Sequence, residues 1–504
     1  MNDRHQPVWI DHPPALALDG ARLERDLDVD VAVIGAGITG LTTALLLQRE
    51  GLSVAVLERH RVGRGATSHS SGHLTAALDV PWRGLVSDFG KPAARSVAQA
   101  SLAAIEAIGR LSGEVGVDAG LQHLPGFRYT QDPGETGELT REAELAADLG
   151  LPVSLVRETP LPFPVAAAIR YDNQATLHPV HYVSGLARAF VAAGGALYED
   201  TPVLEVTDGE PCRVDIAGHV VRARSVVEAT HTPINVVVGL QTRLGPYMTY
   251  VLSARLAGPA PAALCWDTED PYHYFRPLAA GSDRLIAGGC DHKTGQPGHG
   301  NGGETDPFHA LEQHVRARFD VQEVEQRWSF EVFEPADGLP YAGRLGGGHV
   351  YVATGLSGTG LTFGTLCAHL LADLIAGRDH PLAKLLSPSR LKPVASARDV
   401  VRENANVAWH MVRDRLKGPD VATAASIAPG EGRIVELDGN RAAVYRNAQG
   451  ALSVMSPVCT HMGCIVGWNA SAATWDCPCH GGRYLPGGEV LSGPPTRGLS
   501  EPAP

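Results

Sequence analysis

Short apolar runs and helical patterns alternate at the start of the chain. Val29–Ile34 is an apolar run of strand length, and Leu41–Glu50 has the composition of a helix that Gly51 ends. A second apolar run, Val54–Leu57, follows directly. Strand, helix and strand in this order predict a βαβ unit with two parallel strands.

The turn inside this unit carries a binding motif. Residues 35–40 read GAGITG, which matches GxGxxG, and Glu58 ends the second strand. Glycines here allow a tight turn and let a pyrophosphate approach the helix N-terminus, while an acidic residue about 20 positions on can bond a ribose hydroxyl. The pattern therefore predicts dinucleotide binding by Gly35, Ala36, Gly37, Gly40 and Glu58.

Periodic patterns return near the C-terminus. Ser396 and Asp399 have the spacing of a capping box and open a helix that Gly418 ends. Its apolar stripe should pack on a neighbouring domain. Short strand patterns such as Ile434–Leu437 and Ala442–Tyr445 then fit a small antiparallel fold.

Composition narrows the class of protein. The 504 residues carry 42 Lys and Arg against 55 Asp and Glu, and the formal charge of −13 argues against a nucleic-acid partner. A hydrophobic content of 44% suits the cores of two or three domains. No apolar run is long enough to cross a bilayer, and the N-terminus lacks the apolar core of a signal peptide, so we expect a cytoplasmic protein.

Half of the eight cysteines lie in one C-terminal stretch, where Cys459 and His461 form a C-x-H pair and Cys477 and His480 a C-x-x-H pair. Such a set could bind zinc, but zinc ligand pairs usually stand two to four residues apart, and C-x-H is tighter. The pattern resembles the Rieske [2Fe–2S] motif, in which two Cys hold one iron and two His the other. The resemblance implies a Rieske cluster with these four ligands.

The same resemblance implies details around the cluster. In Rieske proteins of respiratory and photosynthetic complexes, cysteines at the positions of Cys464 and Cys479 form a disulfide, whereas free thiols are the default in a cytosolic chain. Tyr484 lies where those proteins hydrogen-bond a ligand sulfur, and residues 493–495 resemble their proline loop. Gly482 replaces a serine with a similar role, so we predict a potential below that of the highest-potential members.

A second iron site is suggested by Asp306, His309 and His314, which have the spacing of a mononuclear site with two His and a carboxylate. In Rieske oxygenases the iron domain follows the Rieske domain, whereas only residues 481–504 follow the last cluster ligand here. The segment also fits an amphipathic helix with Asp306 as N-cap and Pro307 at its first position. We predict the helix.

Residues 63–72, GRGATSHSSG, favour FAD over NAD. They resemble the flavin-facing loop of the D-amino acid oxidase-like superfamily, which includes glycine and sarcosine oxidases. Val226–Thr230 resembles the family's second FAD-contacting strand, with His231 in place of the usual glycine, and residues 338–343 and 351–361 resemble its C-terminal signature. The resemblance implies further FAD contacts from Arg59, Gly65, Ala66, Thr67, His69, Val203, Thr230, Gly355, Gly358, Gly360 and Leu361.

Two functional details stay open. His69 lies where dimethylglycine dehydrogenase-like members attach FAD covalently, but it could instead pack beside the flavin ring. Tyr274 and Arg276 resemble residues that hold a substrate carboxylate, which Arg suits by bidentate binding, but the segment could be an ordinary strand with Arg276 in solvent. Asp291–Gln296 could be a loop near the pocket, but we expect a surface turn.

The fold class that follows is α/β with a small all-β domain at the end. The expected units are an N-terminal extension at 1–28, an FAD-dependent oxidoreductase domain at 29–380, a helical linker at 381–425 and a Rieske domain at 426–504. Within the oxidoreductase domain we expect a Rossmann-like FAD-binding part at about 29–90, 165–240 and 325–380, and an inserted α+β substrate domain at about 91–164 and 241–324.

The combined resemblance implies an oxidoreductase in which FAD oxidises an amine or amino acid and the cluster passes electrons to an acceptor protein or a quinone pool. Two alternatives remain. A donor protein could charge the cluster and thereby feed the flavin, or the chain could be a non-catalytic redox sensor. Fold alone does not decide between them.

Overall fold

The protein is described by a computed structural model that covers residues 6–10, 20–234, 238–296, 306–390 and 423–502, with 405–407, 409–411, 413, 415 and 418–421 between them. Two large sheets form its body and two small sheets its C-terminal part. The capping box at Ser396 and Asp399 lies outside the described residues.

The helices and strands of the first two hundred residues are, in chain order, β1 (Leu27–Ile34), α1 (Ile38–Arg49), β2 (Val54–Leu57), α2 (Ala66–His69), β3 (His73–Leu74), α3 (Trp82–Phe89), α4 (Lys91–Glu114), β4 (Gln122–Thr130), α5 (Thr136–Asp148), β5 (Val153–Val156), β6 (Ala167–Thr176), α6 (Pro179–Ala192) and β7 (Ala196–Tyr198). The next elements are β8 (Val203–Thr207), β9 (Cys212–Ile216), β10 (His219–Glu228), α7 (Val238–Gln241), β11 (Leu244–Leu256), β12 (Leu264–Asp267), β13 (His273–Pro277), β14 (Arg284–Lys293), α8 (Pro307–Arg316), β15 (Val321–Pro335), β16 (Tyr341–Arg344), β17 (Val350–Thr354), α9 (Gly360–Ile375) and α10 (Ala383–Leu386). The C-terminal strands are β18 (Gly432–Leu437), β19 (Asn440–Arg446), β20 (Leu452–Met455), β21 (Gly467–Asn469), β22 (Thr474–Asp476), β23 (Arg483–Tyr484) and β24 (Val490–Ser492).

The first large sheet has the order β16-β17-β10-β1-β2-β7, with the β8–β9 hairpin joined to β10. β1 pairs in parallel with both β2 and β10, which confirms the βαβ unit. Apolar residues of α1, α4, α6 and α9 pack on one face of this sheet and form the largest core. The apolar stretch Ser357–Ile375 is long enough to cross a membrane, but 67% of it is buried, as expected for a core helix.

The second large sheet has the order β15-β11-β14-β13-β12-β4-β6-β3, with β5 added to β6. It corrects two expected boundaries of the substrate domain. β6 was expected in the FAD-binding part, but it pairs with β4 and β5 of the second sheet. β15 was expected to be divided near residue 325, but it pairs with β11 over nearly its whole length.

The predicted connecting segments take defined places. Trp9 of the N-terminal extension is 2% exposed and packs on the second sheet beside Trp328. The described residues between 405 and 415 are helical, and Val407 and Met411 pack against the Rieske core. That core belongs to two small antiparallel sheets, β18-β19-β20 and β21-β22-β23-β24.

Candidate active site and cluster site

A cavity of about 820 Å³ lies between the two large sheets. Its wall includes the βαβ turn of the first sheet and residues of β13, β14 and β15 from the second. Leu491, Ser492 and Gly493 of the C-terminal domain complete the wall, so all three structural parts meet there.

The βαβ turn has the geometry that a bound diphosphate needs. Gly35 has a φ of 101°, and a Cβ at Gly40 would lie 2.0 Å from the Gly35 carbonyl oxygen, so both positions require glycine. The first turn of α1 contains no acidic residue. Glu58 accepts hydrogen bonds from the amides of Ala36 and His60, each at 2.8 Å, which fixes its carboxylate beside the turn. An FAD diphosphate and ribose fit this arrangement.

The residues expected to contact FAD converge on this cavity from six separate stretches of the chain. All of them line it except Ala36, Gly40 and Gly355, which shape the backbone behind the wall. The lining residues are Gly35, Gly37, Glu58, Arg59, Gly65, Ala66, Thr67, His69, Val203, Thr230, Gly358, Gly360 and Leu361.

His69 points its ring into a defined environment within the cavity wall. Its Nδ1 atom lies 2.9 Å from the Gly65 carbonyl oxygen, and its ring centroid lies 4.7 Å from that of Phe330. Burial lowers the pKa of His69 to about 4, so the imidazole is neutral at pH 7. A neutral nitrogen suits both packing against a flavin and covalent attachment.

His231 shows how the chain tolerates a departure from the usual glycine. Its φ is 71°, in the left-handed region that favours glycine. Its Nε2 atom lies 2.8 Å from the Glu331 carbonyl oxygen, and its ring packs against Phe333. These contacts compensate for the strained backbone and anchor β15 to the cavity wall.

Arg276 is not available to a substrate, which corrects the expectation from the sequence. The side chain is 2% exposed, and its guanidinium donates to backbone carbonyls, including those of Gly72 at 2.9 Å and Leu278 at 2.8 Å. Five such acceptors satisfy its donors within the protein interior, so it joins the flavin loop to β13. Tyr274, on the same strand, does line the cavity.

Two acidic residues that the sequence did not assign to the substrate site line the cavity. Asp79 lies on the cavity wall and accepts a hydrogen bond from the Gly358 amide at 2.7 Å. Asp291 was expected in a surface turn, but it belongs to β14 and also lines the cavity. Burial raises the pKa of both carboxyl groups, and that of Asp291 reaches about 7.

The four expected cluster ligands converge in the C-terminal domain. The rings of His461 and His480 lie 5.1 Å apart, and the thiols of Cys459 and Cys477 are buried next to each other. The Nδ1 atoms of both histidines are buried without a hydrogen-bond partner in the described part of the chain. Orphaned nitrogens opposite two thiols fit a cluster with Cys on one iron and His on the other.

The surroundings of these ligands agree with the Rieske pattern. Cys464 and Cys479 form a disulfide that joins the two ligand loops. The Tyr484 hydroxyl lies 3.1 Å from Cys459 Sγ, within hydrogen-bond distance. A Cβ at Gly482 would approach Pro495 Cγ to 2.8 Å and Cys459 Sγ to 3.2 Å, so the proline loop takes the space of the usual serine.

The cluster loops pack directly against the flavin-binding domain. Gln241 of α7 approaches His461, with 3.2 Å between their Nε2 atoms. A side chain at Gly481 would collide with the Glu331 carboxylate, which lines the cavity. Arg59 also donates to the Pro495 carbonyl at 3.3 Å. The cluster site and the cavity therefore share a wall.

The Asp306 segment forms the predicted helix, α8. Asp306 is its N-cap and accepts a hydrogen bond from the Phe308 amide at 3.3 Å. His314 stacks on His273 of β13 in the second sheet, with ring centroids 3.5 Å apart.

This fold and these sites define a flavoprotein oxidoreductase with an attached Rieske domain. Residues 30–374 match the model of the FAD dependent oxidoreductase family (DAO), and residues 419–502 match the Rieske [2Fe-2S] domain. The chain therefore belongs to the FAD-dependent oxidoreductase family and carries a C-terminal Rieske domain. The two matches imply FAD and a [2Fe–2S] cluster as its cofactors.

Known proteins share either the whole arrangement or its flavin part. The chain is 32% identical to the Rieske 2Fe-2S iron-sulfur protein YhfW of Bacillus subtilis, over 95% of this chain and 94% of that protein. It is 25% identical to the gamma-glutamylputrescine oxidoreductase of Escherichia coli, over 78% of this chain and 95% of that protein. The structure of glycine oxidase from Geobacillus kaustophilus matches with a TM-score of 0.61 at 23% identity, covering 72% of this chain and 99% of that one, which shows the shared fold.

Proposed function

We propose that this protein oxidises an amine or amino acid at a carbon next to nitrogen and passes the electrons through its Rieske cluster to an external acceptor protein or quinone. The observation that carries the proposal is the shared wall between the cavity and the cluster loops, where Gly481 meets Glu331. Relatives named as gamma-glutamylputrescine oxidoreductase and glycine oxidase support the C–N bond as the target.

The residues that would hold the cofactors follow from the geometry. The amides at the N-terminus of α1 face the diphosphate position, Glu58 the ribose, and the loop at Gly358 the remaining part of FAD. Cys459, His461, Cys477 and His480 would ligate the cluster. When bound, FAD accepts two electrons from a C–H bond next to nitrogen, and a [2Fe–2S] cluster carries electrons singly.

The protein's own contribution is to hold these groups together on one chain. The buried interface removes the need for diffusion between two proteins, which raises the effective concentration for electron transfer. The disulfide between Cys464 and Cys479 holds the two ligand loops next to the cavity wall. The acceptor and the cytoplasmic location remain predictions.

An anaerobic titration with amines and amino acids tests the proposal. We expect at least one compound to bleach the flavin absorption and to produce the EPR signal of the reduced cluster in the same sample. Cys459→Ser should keep the bleaching and lose the EPR signal. If dithionite reduces both centres but no amine reduces either, electrons enter through the Rieske domain and the proposal is wrong.

A further inference from the structure

Three carboxylates surround one tyrosine at the substrate end of the cavity. Asp79, Asp291 and Glu334 line this end; burial raises the pKa of the Tyr272 hydroxyl, and the negative charge of the three carboxylates raises it further. A Cβ at Gly358 would lie 2.9 Å from the Tyr272 hydroxyl, so the acidic group adjoins the segment 351–361 that resembles the family's C-terminal signature.

Part of this acidic group lacks a hydrogen-bond partner among the described residues. The Asp291 Oδ1 atom is buried and has no hydrogen-bond partner among the described residues. Buried acceptors of this kind are costly unless a ligand supplies the donors. Glu331, on the same wall, is fully buried; burial raises its pKa well above the ordinary value, and the nearby charge of Arg483 offsets part of that rise, so this carboxyl is not counted with the acidic group.

Positive charge on the wall is scarce by comparison. The guanidinium groups among the described lining residues belong to Arg59 and Arg128. Arg59 lies beside Glu58 at the expected ribose end, and Arg128 already lowers the pKa of Asp79. Because Arg276 is committed to backbone carbonyls, a substrate carboxylate would face an acidic wall with little compensation.

We infer that the substrate is a diamine or a longer polyamine, which presents a second ammonium group to Asp79 and Asp291 and carries no carboxylate. This inference rests on the proposed amine oxidation and specifies its substrate class. The nitrogen next to the carbon that loses the hydride must be neutral. Only an ammonium group elsewhere in the molecule can therefore pair with the carboxylates of the wall. The rings of Tyr272 and Tyr274, 6.1 Å apart, add two aromatic faces that favour a cation.

A matched set of ligands tests this substrate class on the holoenzyme. 1,4-Diaminobutane, n-butylamine and 4-aminobutanoate share one amine and one chain length and differ in the far group, which is ammonium, methyl or carboxylate. Dissociation constants come from the perturbed flavin spectrum and rates from anaerobic flavin bleaching, with the comparison repeated for chains of three to six carbons. We expect the diamine to bind roughly tenfold or more tightly than the monoamine, with the carboxylate weakest.

Charge-removing variants assign the preference to the wall. Asp291→Asn and Asp79→Asn keep the side-chain size and should bring the ratio between diamine and monoamine affinities toward one. Glu144→Gln, an exposed position on α5 outside the cavity, is the charge-matched control and should leave that ratio unchanged.

The outcomes separate this inference from the proposed function. Flavin reduction by n-butylamine or 4-aminobutanoate as fast as by the diamine overturns the polyamine assignment and leaves amine oxidation standing. An unchanged affinity ratio in both Asp variants also overturns it. If dithionite bleaches the flavin but no amine of any length does, the proposed function itself falls.

Discussion

The cluster site and the flavin cavity of this chain are assembled in opposite ways. The four expected cluster ligands lie between residues 459 and 480 on two loops joined by one disulfide. The cavity draws its wall from residues as far apart as Ile34 and Gly493, on both large sheets and the C-terminal domain. The first site depends on local loop geometry, whereas the second depends on the packing of the whole molecule.

The two sites also differ in charge compensation. Next to the cluster, Arg483 and Asp476 are both buried and form an ion pair at 3.1 Å. At the substrate end of the cavity, burial raises the pKa of Asp291 to about 7, and the nearby charge of Asp79 adds to this rise. A compensated ion pair suits a permanent structural element, whereas buried carboxyl groups with raised pKa values suit a site that binds a ligand.

The largest expected effect comes from removing a cluster ligand, which tests whether the cluster and FAD bind independently. Cys477→Ser should abolish the cluster, because a hydroxyl replaces one of two buried thiolates, while FAD remains bound in its own cavity. Iron content and the EPR spectrum of the reduced protein measure the cluster. The flavin absorption measures the bound FAD. Cys290→Ser changes a thiol outside the cluster loops and should retain both. Loss of FAD together with iron would contradict independent assembly.

The converse change acts on the cavity. Gly40→Ala places a Cβ 2.0 Å from the Gly35 carbonyl oxygen, which forces the βαβ turn apart and should cost about 1–3 kcal/mol and most of the FAD. Gly113→Ala, in α4 with no neighbour within 4 Å, is the matched control and should stabilise by about 0.5–1 kcal/mol. Thermal unfolding and the FAD content per chain measure both. Full FAD content in Gly40→Ala would show that the turn does not limit binding.

This difference explains how far the sequence could predict each site. The cluster ligands and the βαβ turn are local motifs, so their spacing identified them. Arg276 was misjudged because the carbonyls of Ser71, Gly72 and Leu177 that hold it lie far away in the chain. Asp291 was missed because no periodic pattern shows which face of β14 meets the cavity.

A smaller effect should come from the hydrogen bond to the cluster sulfur. Tyr484→Phe removes the hydroxyl that lies 3.1 Å from Cys459 Sγ, and this hydroxyl stabilises the more negative, reduced cluster. The reduction potential should fall by on the order of 50–100 mV, which corresponds to one hydrogen bond to a charged acceptor. Protein-film voltammetry measures the shift. Tyr445→Phe, on β19 outside the ligand loops, is the control, and an equal shift there would contradict the local cause.

The smallest effect concerns the pH dependence of the acidic wall. Because the pKa of Asp291 is raised to about 7, its carboxyl group is neutral below that pH and negative above it. A permanently charged probe such as butyltrimethylammonium, which does not titrate itself, should therefore bind about tenfold more tightly at pH 8 than at pH 6. Asp291→Asn should flatten this profile, while Glu144→Gln should preserve it. If the affinity of the unmodified protein for the probe did not change between pH 6 and pH 8, the carboxylates of the wall would keep the same charge over this range. The negative charge of the cavity would then be compensated as fully as that of Asp476 beside the cluster.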